Sequence, residues 1–145
     1  MSAGFLEVLA QRHAEGNPIR VGIIGAGKFG GGLMAQLSQM KGMEAGAVAD
    51  LDTGRALQTY AACGTPREAV VTVSSAEQAS DAIRAGKRAI AEDALAVIGC
   101  DQVDVVVDAT GVPEAGARNG VAAIDHGKHL VFEDFEHLGT DPQLG

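Results

Sequence analysis

Short apolar runs rich in β-branched residues alternate along the chain with stretches whose apolar positions recur every three or four residues. The runs at 19–24, 43–49, 69–73, 103–109 and 128–132 each read as a strand. Val103, Val105, Val106 and Val107 make the fourth run nearly continuous. A strand apolar on both sides is expected where helices cover both faces of a parallel sheet. Residues 88–91 read as a further short extended segment.

The intervening stretches read as helices. The first covers residues 2 to about 15, with Phe5, Leu6 and Leu9 giving a partly amphipathic pattern that Gly16-Asn17-Pro18 ends. A second runs from 28 to about 40 with Leu33, Met34 and Leu37 on its buried side. Asp52-Thr53 caps a third, to about 62, and Ser75 caps a fourth over 76–85. Asp93 caps a short helix to 98, and Pro113 sits in the first turn of a helix to about 125. The order predicts an α/β domain with right-handed crossovers, preceded by an N-terminal helix. The expected layout is a helical arm over 1–18, the α/β domain over 19–135 and a polar tail over 136–145. The arm reads as a packing element or a contact with a second copy.

Composition narrows the function classes. A chain of 145 residues suits one domain, so a second, substrate-binding domain is expected to be absent. The core must come from Ala, Val, Ile and Leu, because only 3% of the residues are aromatic. A net charge of −8 argues against nucleic acid or an anionic membrane surface as partner. It leaves phosphate ligands open, since backbone N–H groups at a helix start bind phosphate without net positive charge. Cys63 and Cys100 stand far apart with no metal-like spacing, so neither a disulfide nor a metal site is expected. With no leader pattern and no long apolar run, the expected setting is the reducing cytoplasm.

The candidate chemistry centres on Gly25-Ala26-Gly27-Lys28-Phe29-Gly30, a G-x-G-x-x-G pattern that leaves a strand and opens a helix. Gly25 permits the tight turn, Gly27 admits a pyrophosphate close to the backbone, and Gly30 lets the helix approach the strand. Phosphate oxygens would meet unpaired N–H groups and the positive end of the helix dipole. These residues predict a Rossmann-type doubly wound parallel sheet binding a dinucleotide. Gly31 and Gly32 extend the glycine run into the helix, weakening its first turn by about 1 kcal/mol each relative to alanine.

Asp50 ends the second strand about 20 residues beyond the loop, where an acid hydrogen-bonds the ribose 2′-OH and disfavours a 2′-phosphate. On that ground Asp50 points to NAD. Arg55 reads as a solvated helix charge that can also reach towards a 2′-phosphate. The turn after the fourth run, Ala109-Thr110-Gly111, belongs at the carboxyl edge of the sheet, on the nicotinamide side. His126, Lys128 and His129 fall at the opposite edge. Glu133, Asp134, Glu136 and His137 fall at the favourable edge but form no recognisable proton relay, and no catalytic residue is assigned.

Residues 15–30, 105–118 and 122–131 together resemble the N-terminal part of homoserine-dehydrogenase-like oxidoreductases. The subgroup is the 1-deoxy-D-xylulose 5-phosphate reductoisomerase-like proteins, which often carry a C-terminal SAF domain. The likeness extends to about Phe132, where this chain departs with Phe132-Glu-Asp-Phe-Glu136. It implies a nicotinamide-dependent reductase, usually with NADPH, whose catalytic residues lie in a later domain. The expected ligand is therefore NAD or NADP, with a separate catalytic domain or a second copy as further partner. The alternative is a non-catalytic module that senses dinucleotide or docks on a partner.

Overall fold

A computed structural model describes residues 3–132 of the chain. Its elements follow in the order α1 (Ala3–Ala14), β1 (Ile19–Ile24), α2 (Lys28–Ser38), β2 (Met43–Ala49) and α3 (Thr53–Ala62). A 3-10 turn over Arg67–Ala69 leads into β3 (Val70–Val73), α4 (Ala76–Arg84), β4 (Arg88–Ala91) and α5 (Ala94–Ile98). Last come β5 (Val105–Asp108), α6 (Pro113–Asp125) and β6 (His129–Phe132). The caps form as their chemistry requires: Asp52, Ser75 and Asp93 each accept a backbone N–H from the first turn of their helix.

Among the described residues all strands join one parallel sheet, ordered β3-β4-β2-β1-β5-β6. The segment at 88–91 is thus more than a short extended piece. It is an inner strand, between β2 and β3, and Ala89, Ile90 and Ala91 are all buried there. The run at 103–109 contributes a strand only over Val105–Asp108. Val103 is buried core, but its N–H bonds the Cys100 carbonyl in a turn.

Side chains alternate between the two faces of the sheet, and helices cover both. Val21 and Ile23 of β1 pack with Met34, Leu37 and Tyr60 on the side of α2 and α3. The Tyr60 hydroxyl, which burial pushes above its usual pKa, donates to the Ala45 carbonyl at 2.6 Å. Ile24 packs on the other side with Val97, Ile98, Val103 and Val106, beneath α4, α5 and α6. Gly22 explains how α5 lies so close to the middle of the sheet. A Cβ there would fall 2.5 Å from a Val97 methyl. The core is therefore made of thin aliphatic layers, as the scarcity of aromatics requires.

The chain leaves β1 through α2 towards β2 and later returns to the other side of β1 with β5. The carboxyl ends of β1 and β5 are the point where the strand order changes direction, which is where open α/β sheets form a ligand crevice.

Candidate functional site

The glycine loop lies at this crevice. Gly25 follows the last residue of β1 with φ of 99°, a left-handed conformation that only glycine adopts at little cost. It is also tightly packed: a Cβ would stand 3.2 Å from the Ala109 carbonyl group and 3.3 Å from the Thr110 Cα, closer than ordinary contact. Its own N–H donates to the Ala49 carbonyl at 2.7 Å. Gly30 is closed more firmly, since a Cβ there would fall 1.8 Å from the Gly25 carbonyl oxygen. The Gly30 contact brings α2 down onto the end of β1, and the Gly25 contact brings the turn after β5 against the loop.

Gly27 is the N-cap of α2, and no side chain caps the helix. The first bond of the ladder runs from the Gly31 N–H to the Gly27 carbonyl at 2.7 Å, so the amides of Lys28, Phe29 and Gly30 precede it. Among the described residues beyond its chain neighbours, only the Arg55 guanidinium comes near the position a Gly27 Cβ would take, at 4.0 Å. Lys28 and Phe29 are exposed at the helix start, whereas the Ala26 side chain is buried. The Gly30–Gly32 run belongs to a continuous helix. A Cβ at Gly31 would make only ordinary contact with Thr59, and nothing in the structure explains Gly32.

Asp50 ends up beside the loop, and most of its hydrogen-bonding capacity is committed to the protein. Oδ2 accepts the Ala26 N–H at 2.7 Å and the Arg55 Nη2 and Nε groups at 2.7 and 3.2 Å. Oδ1 accepts the Asp52 N–H at 2.8 Å. Burial pushes this carboxyl up, but the Ala26 N–H, Arg55 and the Asp52 N–H together hold it below the usual carboxylate range. In turn the Asp50 hydrogen bond and charge raise the Arg55 pKa further above its usual value. The Asp50 side chain is 4% exposed, while that of Arg55 is 52% exposed. The cation is thus the accessible member of the pair, presented beside Gly27.

Across the crevice, Asp108 closes β5. Its Oδ1 accepts both the N–H and the hydroxyl of Thr110, at 2.9 and 2.7 Å, and its Oδ2 accepts the Asn119 Nδ2 group at 2.9 Å. The Thr110 hydroxyl also accepts the Val112 N–H at 3.2 Å. Gly111 completes the turn with φ of 70°.

The structure therefore brings Gly25, Ala26, Gly27, Lys28, Phe29, Gly30, Asp50, Ala109, Thr110 and Gly111 to one edge of the sheet. Arg55, read from the sequence as a solvated charge, is half of a buried-to-surface ion pair. Asn119 drew no attention in the sequence, where only its place on an α6 face could mark it. His126 caps the far end of α6, with Nδ1 2.8 Å from the Ala122 carbonyl, away from the crevice. Glu133, Asp134, Glu136 and His137 lie outside the described residues. Among the described residues no three His, Cys, Asp or Glu side chains gather as a metal site, and no helix is long and apolar enough to cross a membrane.

No family model matches the chain, and no curated protein matches it. Solved structures do match. One is an NAD binding oxidoreductase from Klebsiella pneumoniae, with a TM-score of 0.54 and 21% identity over 79% of this chain. Another is a mutant 3-ketoreductase from Actinomadura kijaniata in complex with TDP-benzene and NADP, with a TM-score of 0.54 and 23% identity over 80% of this chain. This chain spans 27% and 30% of the lengths of those two proteins. The likeness establishes the Rossmann-type fold.

Proposed function

We propose that this chain binds a nicotinamide dinucleotide, NAD or NADP, as the cofactor module of an oxidoreductase. The observation that carries the proposal is the uncapped start of α2, whose approach to β1 is left open by glycine at 25, 27 and 30. Amides of Gly27, Lys28, Phe29 and Gly30 would receive the pyrophosphate, Asp50 and Arg55 the adenosine ribose, and the Ala109-Thr110-Gly111 turn the nicotinamide end. When bound, the dinucleotide would supply or accept a hydride. The two solved structures described above are oxidoreductases by name, one of them crystallised with NADP, which supports the reading.

The resemblance to homoserine-dehydrogenase-like reductases refines it. The subgroup usually uses NADPH, and the Asp50–Arg55 geometry favours the same choice. A ribose diol would compete with four protein N–H donors for Asp50, whereas a 2′-phosphate would meet the exposed guanidinium directly. Substrate and reacting groups would then come from a separate domain or a second copy. The Thr110 hydroxyl is already committed to Asp108 and Val112.

Fluorescence titration of the chain with NADH and NADPH tests this. Both should bind, NADPH more tightly. Arg55→Ala should weaken NADPH by about tenfold or more and NADH only slightly, the loss expected for a charge-assisted contact. Binding of neither nucleotide at millimolar concentration overturns the proposal. Equal losses for both would remove the NADPH preference alone.

A further inference from the structure

We propose that Asn119 is a positioning residue for the nicotinamide half of the ligand, acting through Asp108 on the Thr110–Gly111 turn. The inference rests on dinucleotide binding at the crevice. Asn119 is on α6, 11 positions beyond Asp108, and both side chains are buried, at 9% and 2% exposure. Neither faces the crevice as a free group. The Asn119 amide holds one Asp108 oxygen, and the other oxygen holds the backbone and hydroxyl of Thr110. The Thr110 hydroxyl then holds the Val112 N–H at the cap of α6. This closed set of bonds ties the turn to the body of α6 and leaves Gly111, at positive φ, as its exposed tip.

The position of that turn matters because its backbone lies against the glycine loop. The Ala109 carbonyl and Thr110 Cα stand 3.2 and 3.3 Å from where a Gly25 Cβ would be. Gly25 has a separate anchor in the Ala49 carbonyl, and Ala26 has one in Asp50. Loss of the Asn119 amide would therefore leave the pyrophosphate and adenosine side in place. It would strand an oxygen of a buried carboxyl group and release the turn on the other side of the crevice.

The experiment compares the dinucleotide with its matched fragment. Wild type, Asn119→Ala and Thr110→Val are titrated with the tighter of NADH and NADPH, and with ADP-ribose or its 2′-phosphate, which lack nicotinamide. Wild type should bind the dinucleotide more tightly than the fragment. Both variants should lose about tenfold for the dinucleotide and less than twofold for the fragment, collapsing the difference. Thr110→Val removes the hydroxyl that links Asp108 to the Val112 N–H and leaves the Asn119–Asp108 bond in place, so it tests the same turn if Asn119→Ala does not fold. An equal loss for both ligands would show a merely structural role, and no loss for either would show no role; both overturn the inference and leave dinucleotide binding standing. Wild type that binds no dinucleotide overturns the proposed function and this inference together.

Discussion

Asp50 is a carboxyl group that burial would push up and that donors nevertheless hold low. A group whose folded pKa lies below its unfolded value stabilises the fold above the unfolded value, about 4 for aspartate, and that contribution is lost as pH falls through the folded pKa. Asp50→Asn removes a charge-assisted acceptor of the Ala26 and Arg55 N–H groups, at an expected cost of about 1–3 kcal/mol at pH 7. Arg55 is half exposed, so solvent screening places its share at the low end. The difference in melting temperature between wild type and Asp50→Asn should be full at pH 7 and shrink below pH 4. A difference that stays constant down to pH 2 would contradict this assignment. The sequence alone placed Asp50 at the right strand end but held no sign that its first partner is the Ala26 amide, 24 positions away. Such pairings become visible only once β1 and β2 lie side by side.

At the scale of elements, α2 carries glycines with two different reasons for being there. Gly30 is required by contact, because any Cβ meets the Gly25 carbonyl. Gly30→Ala should therefore destabilise the protein by about 1–3 kcal/mol or more, through forced separation of α2 from β1. Gly32 has open space around it, and alanine there should stabilise by about 0.5–1 kcal/mol through helix propensity. Urea unfolding of the two variants measures both signs. A neutral Gly30→Ala would contradict the packing described for the loop. The hydrophobic periodicity located the helices and most strands to within a few residues, because each is short and bounded by caps or glycine. It undervalued Arg88–Ala91, whose four residues are too few for a period. Their place between β2 and β3 is a tertiary fact that local pattern does not hold.

At the scale of the molecule, the two faces of one parallel sheet are both covered, and the strand order reverses at β1. That topology was legible in the alternation of elements, and the glycine motif was legible because its spacing reflects a steric need. The order of the outer strands, the Asp50–Arg55 pair and the Asp108–Asn119 link were not, since each depends on residues brought together by the crossovers. The crossovers thereby divide the crevice into three parts: uncapped amides on the β1 side, the Asp50–Arg55 pair beyond β2, and the Thr110 turn on the β5 side.

Amide chemical-shift mapping of isotopically labelled protein, with NADH or NADPH added, reads this division directly. The largest shifts should fall at Gly27, Lys28, Phe29 and Gly30, with a second group at Thr110 and Gly111. Shifts confined to the opposite edge of the sheet, around His126 and Gly127, or no shifts at millimolar nucleotide, would contradict dinucleotide binding at the glycine loop.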